Sequence, residues 1–387
     1  GISEVFLRIP SFLFGIANLY LIYSIGEKLS GWRSGIFSLF LYSLFPVIIF
    51  YESIARGYSM KITFSLLLFS ICLKFLNKPK LVSLIGISFI SSLGFFTIFS
   101  FIFPFLGLMI WLTYKLTQRK HFSKKTIINC LFFIIIHTGI FSFILYTPTM
   151  IFSNISNINE FLKVAQEGNI NVYGSFPKDL PLAIENLFFK FLFFDSILIA
   201  GIFSICIGYS FIFKKRNSVF LAIQIISSLL LIFIFQAIFP SRVFIYLVPF
   251  IIINSSILFS KLSLFLRSKY LLVLPLLQIL VGISYGGKFI EYYHPESQHG
   301  VKEVIERMKD IPSNSKVLVP SGYIKTFKFY FLTKKVITVE SYNDFDTLEF
   351  ENNKQNTYVI AYSSKTNSNQ NLTRILSTKG LKVFKYR

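Results

Sequence analysis

Acidic residues are scarce in this chain: 18 Asp and Glu stand against 39 Lys and Arg, and charge of either sign makes up only 15% of 387 residues. A soluble domain carries roughly a quarter charged residues, so a water-exposed globule is excluded. Cysteine is nearly missing. Cys72, Cys130 and Cys206 all fall inside apolar runs and at no ligand spacing, which excludes a disulfide framework and a cysteine metal box and leaves small buried hydrophobes. The chain has no nucleophile triad and no internal repeat of the transporter kind. It has no basic n-region of a signal peptide either. It opens on Gly1 and reads as the interior of a longer gene product.

What is abundant is apolar length. Hydrophobic residues make up 53% of the chain and aromatics 18%, with a mean hydropathy of +0.63. Runs of about 20 apolar residues, enough to cross a bilayer core, recur almost to Phe289. Ten spans are expected: 9–29, 34–50, 57–76, 81–97, 98–116, 127–147, 195–213, 219–239, 243–260 and 270–290. The formal charge of +21 admits nucleic acid as a partner, and charge position decides against it. Alternate connections hold Lys28 and Arg33; Lys74, Lys78 and Lys80; Lys115, Arg119, Lys120, Lys124 and Lys125; Lys214, Lys215 and Arg216; and Lys261, Arg267 and Lys269. The opposite connections hold scattered charges only: Arg8, Arg56, Lys61, Lys163, Lys178 and Arg242. Such asymmetry makes the first set cytoplasmic, so the basic excess reports topology, both ends of the chain lie outside, and no nucleic acid is implied.

The outer face then becomes the candidate working face. Its centre is FYESIARGYSMK, Phe50 to Lys61, where Arg56 stands at a membrane boundary four residues after Glu52. A cation there is costly without a partner or ligand and marks a site by default; an Arg56–Glu52 pair at i, i+4 that only neutralises itself is the plainer alternative. Arg242 opens the ninth span, Arg8 precedes the first, and Tyr58 neighbours Arg56. A guanidinium suits phosphate because its fork of donors matches the oxygens and keeps its charge. If the ends carrying Arg56 and Arg242 converge, they form a dicationic pocket for a lipid phosphate. Glu52 could orient Arg56, bind a metal or accept a proton. His137, mid-span, reads as an interhelical hydrogen-bonder, and EYYHPESQH (Glu291 to His299) matches no strong ligand pattern. In the long outer loop from Pro148 to about Phe194, Ile155, Ile158, Phe161, Leu162 and Ala165 repeat at helical spacing. That segment and 183–194 read either as interfacial helices or as ordinary surface helices.

Composition changes after the last run. Residues 1–296 form the membrane domain, and 297–387 form a polar, Lys- and Asn-rich region without a span. There, Gly300–Ile311 is an amphipathic helix stopped by Pro312. KVLVP, VITVE, TYVIAY and LKVFKY fit strands, while 369–377 fits a second helix. The fold class is therefore an all-α polytopic membrane domain of about ten helices followed by a small extracytoplasmic α/β domain. That domain has no Gly-rich phosphate loop and reads as structural or acceptor-binding.

The opening LRIPS (Leu7 to Ser11), the link YSIGEKLSG and the box ARGY (Ala55 to Tyr58) are arranged as in a known family. They resemble the GT-C fold, polyprenyl-phosphate-sugar-dependent glycosyltransferases: the protein O-mannosyltransferases and the aminoarabinose–lipid A transferases. SRVFIYLVPF (Ser241 to Phe250) is similar to a late helix of that family. The resemblance implies an inverting transferase of the cell envelope. It takes a sugar from a polyprenyl-phosphate donor at the outer face, passes it to a hydroxyl of a lipid, protein or polysaccharide acceptor, and sits in a bacterial inner membrane. It places Arg56, and with it Arg242, on the leaving phosphate, where growing charge must be stabilised; Arg8, Glu52 and Tyr58 join them as substrate-binding residues.

The chain also departs from the family. The family's acceptor-activating aspartate lies in an outer loop ahead of the LRIPS position, so no catalytic base is assigned here, and the first span and loop are expected to precede Gly1. A histidine that the family often carries stands as Ile98 here. No cofactor is fixed by these residues, and a divalent metal stays open. The alternatives are a transporter or flippase of lipid-linked sugars, or a non-catalytic remnant of the family.

Overall fold

The computed structural model describes residues 4–53, 57–119, 122–152, 215–235 and 241–265 together with five strands and the single positions Pro181, Phe239 and Val304. The chain divides into two compact units, Ile2–Ser284 and Tyr285–Arg387.

In the first unit, nine described α-helices follow the apolar runs: α1 Glu4–Ser30, α2 Trp32–Ser43, α3 Pro46–Ser53, α4 Tyr58–Asn77, α5 Leu81–Thr97, α6 Ile102–Thr117, α7 Lys124–Phe152, α8 Lys215–Phe235 and α9 Leu247–Phe265. Four segments are long and apolar enough to cross a membrane, 8–30, 58–77, 99–117 and 124–148, or five if the bent α2–α3 pair is one span. The protein is a multi-pass membrane protein. The expected spans 195–213 and 270–290 and both loop helices lie outside the described residues.

The link between α1 and α2 is as tight as a chain can make it. Gly31 takes φ 89°, a conformation essentially reserved for glycine, and its N–H donates to the Glu27 carbonyl at 2.7 Å. The helices then pack closely, because a Cβ on Gly35 would stand 2.9 Å from the Tyr23 carbonyl oxygen. The expected single span 34–50 is corrected here to two helices, bent by 67° at Leu44–Phe45. Pro46 is the cause: its ring supplies no N–H and disfavours a helical residue before it. It is tolerated at the first turn of the new helix. The division at Thr97–Ser100 holds as expected, with Ile98 extended between α5 and the 3₁₀ turn Phe99–Phe101. Farther on, α7 continues through Pro148, where the sequence suggested the loop would begin.

Short polar contacts join several of the helices. Ser256 on α9 meets Ser34 and Ser38 of α2 at 2.9 and 2.7 Å. Ser92 on α5 donates to the Thr138 carbonyl of α7 at 2.9 Å. Lipid is as apolar as leucine, so small residues and hydroxyls carry helix association in a bilayer. An aromatic cluster joins four helices: Phe69 of α4, Trp111 of α6, Phe220 of α8 and Phe250 of α9, with centroids 4.2 to 5.5 Å apart.

In the second unit, five strands form one sheet in the order β2-β1-β3-β5-β4, with β1 Lys316–Pro320, β2 Thr338–Tyr342, β3 Thr357–Tyr362, β4 Leu372–Ser377 and β5 Leu381–Tyr386. β1 lies between parallel β2 and β3, and β5 pairs antiparallel with β3 and β4. The helix expected over 369–377 is instead the edge strand β4. Its β-branched Thr373 and Ile375 suit a pleated edge, and β5 completes its hydrogen bonds with an irregularity between Arg374 and Leu376. Of the amphipathic segment before β1, Val304 is helical and fully buried.

Candidate functional site

α1 and α4 run in the same direction, in a register set by hydroxyl groups. Ser59 Oγ donates to the Ser11 carbonyl at 2.9 Å, and Thr63 Oγ1 donates to Asn18 Oδ1 at 2.7 Å. Ser11 lies three residues beyond Arg8, and Ser59 three beyond Arg56. Arg8 and Tyr58 therefore belong to the same end of the bundle. Arg8 is exposed on α1. Arg56 itself lies outside the described residues.

Glu52, on the last turn of α3, is held from two helices. Its Oε1 accepts from Asn18 Nδ2 at 2.8 Å and from the Tyr42 hydroxyl at 2.7 Å. Its Oε2 would stand 3.1 Å from a Cβ at Gly15, so glycine leaves room for the carboxylate against α1. Asn18 Nδ2 also donates to the Ser59 carbonyl at 3.2 Å. A partly buried carboxylate with two such donors is fixed in position. The described partners of Glu52 are thus Asn18 and Tyr42, neither of them its sequence neighbour at i+4. Tyr58 is buried at 6% exposure, its ring edge-on to Tyr51 with centroids 4.8 Å apart.

The group that sequence reasoning missed is Lys61. By sequence it belongs with the scattered outer charges, yet its side chain is fully buried. Its Nζ donates to Ser100 Oγ at 2.9 Å and to the Val243 carbonyl at 2.6 Å, and lies 5.3 Å from the centre of the Tyr246 ring. The contact with Val243 ties α4 to the 3₁₀ turn Ser241–Phe244 that carries Arg242. Arg242 is half-buried there. Tyr246 is fixed in turn, its hydroxyl 2.5 Å from Ser228 Oγ on α8. The signal for Lys61 was in plain view: an ammonium one turn inside an apolar helix has to find buried partners.

His137 is corrected from an interhelical to an intrahelical contact, with Nδ1 2.8 Å from the Phe133 carbonyl one turn back and its ring stacked on Phe133. Among the described residues no group of three His, Cys, Asp or Glu could hold a metal ion. Glu291, His294, Glu296 and His299 lie outside them.

The bundle has a GT-C-like fold. Among solved structures the chain is similar to ArnT from Cupriavidus metallidurans bound to undecaprenyl phosphate, with TM-score 0.62 and 11% identity over 99% of this chain and 84% of that one. The apo form of the same ArnT matches with TM-score 0.60 and 11% identity over 97% and 83%. No family model and no curated protein matches the sequence.

Proposed function

We propose that this protein is an integral-membrane glycosyltransferase. It moves a sugar, with inversion, from a polyprenyl-phosphate donor to an acceptor hydroxyl at the outer face of a bacterial inner membrane. The observation that carries the reading is the tie from Lys61 to the Val243 carbonyl. It draws the start of α4, five residues beyond Arg56, to the turn that bears Arg242. The tie supports a reading in which Arg56 and Arg242 converge on one phosphate, on a fold similar to one solved with undecaprenyl phosphate.

In this reading Arg56 and Arg242 hold the phosphate of the donor. Their charge opposes the negative charge that grows on the leaving oxygen, so they bind the transition state better than the ground state. Glu52, fixed by Asn18 and Tyr42, orients Arg56, and Arg8 adds positive potential at the mouth. Lys61 is a positioning residue that gives two hydrogen bonds to groups within the protein.

The test is transfer from a radiolabelled polyprenyl-phosphate sugar in membranes carrying the full-length protein. Arg56→Ala lowers the rate by 10²-fold or more, on the order expected for removing one transition-state donor, at unchanged expression. Turnover equal to wild type removes Arg56 from the mechanism.

A further inference from the structure

At the other end of the helices the structure contains a large cavity of about 1550 Å³. Its rim brings together the C-terminal ends of α1, α4 and α6: Lys28, Lys74, Lys78, Lys80, Lys115 and Arg119, with no acidic side chain among the described lining. Lys74, Lys78 and Lys80 are exposed, whereas Lys115 is buried at 8%. The deeper wall is apolar and aromatic, formed by Phe69, Trp111, Phe220 and Phe250. Trp111 is 3% exposed, and its buried indole N–H has no partner among the described residues. Unsatisfied buried donors are uncommon in native proteins, and an oxygen of a ligand seated in the cavity would complete this one.

Charge bias between the two sides of a membrane explains basic links in general. It does not explain why six cations encircle a single concavity with an aromatic floor. A soluble anion would use the rim and leave the floor unfilled; a neutral lipid would do the reverse.

We infer that this cavity binds an anionic phospholipid, its phosphate among the lysines of the rim and its first acyl segments along Phe69, Trp111, Phe220 and Phe250. Each cation near an anionic headgroup contributes enough for several-fold tighter binding. Two removed from the rim therefore lower retention about tenfold. The inference is independent of the transferase reading.

The experiment uses the complete protein in nanodiscs of phosphatidylcholine doped with phosphatidylglycerol, with lipids retained after mild extraction counted by native mass spectrometry. Expected are retention of phosphatidylglycerol over phosphatidylcholine and a loss of about tenfold in Lys74→Gln/Lys78→Gln. The control Lys124→Gln/Lys125→Gln, which removes two exposed charges from the start of α7 away from the cavity lining, is expected to retain lipid as wild type does. Trp111→Phe keeps the floor and removes the donor, for a loss of about two- to fivefold. Equal losses in both double variants reduce the effect to surface charge and overturn the site. Equal retention of the two lipids also overturns it, a result read on the unaltered protein with no variant needed. Displacement of the lipid by millimolar inorganic phosphate shows a soluble-anion site and overturns the lipid assignment.

Discussion

Two lysines on α4 sit in opposite situations. Lys61, near the start, is fully buried, with a hydroxyl, a carbonyl and an aromatic ring around its ammonium. Lys74, near the end, is exposed at the rim of a cavity among five other cations. A charge taken out of water survives only where its donors are spent on fixed partners, and it then holds elements in place. A charge left in water has donors to offer a ligand. The same residue type on the same helix is therefore a brace at one end and a binding group at the other.

That contrast can be broken experimentally. The largest effect is expected from Lys61→Met. It removes two hydrogen bonds to a charged donor and leaves the Val243 carbonyl without its ammonium, at a cost of about 2–4 kcal/mol. The cost appears as a lower thermal unfolding midpoint in detergent, while Lys74→Met changes stability by no more than about 0.5 kcal/mol and leaves the midpoint near wild type, as expected for an exposed site. Equal shifts for the two would erase the distinction. Glu52→Gln comes next. Asn18 and Tyr42 keep an acceptor but lose the carboxylate charge, so stability falls by about 1 kcal/mol, and transfer activity falls further if Glu52 orients Arg56. Activity and stability falling in proportion would make Glu52 structural only. The smallest change is expected from Ser256→Ala on α9, which removes contacts to both Ser34 and Ser38 and costs about 1 kcal/mol or less, as hydroxyl contacts do between membrane helices. A larger loss would show that α2 and α9 depend on this one side chain.

Much of the membrane unit was legible in advance because the physics is local. A run of apolar residues of bilayer length must be helical, since lipid satisfies no backbone group; α4 and α5 lie within a residue or two of their expected bounds. Pro46 also carried a local signal, but hydropathy runs smoothly across it and hid the bend. The edge strand β4 was misread for a different reason. Leu372, Ile375 and Leu376 fit a helical face, and only the presence of β5 beside them selects an extended chain. At the site, Glu52, Tyr58 and Arg242 were identifiable by type and boundary position. The pairings of Glu52 with Asn18 and of Lys61 with Val243 were not, because the partners are distant in sequence.

Composition and run length alone determined that this protein is a multi-pass membrane chain with a basic bias on alternate links, because transfer free energy acts residue by residue. Only tertiary packing decided which Lys is buried, which carboxylate oxygen receives Asn18 and Tyr42, and that three basic helix ends share one cavity. Those outcomes depend on helices meeting at particular registers, and the close approach of α1 to α2 at Gly35 and the level pairing of Ser11 with Ser59 are what set them.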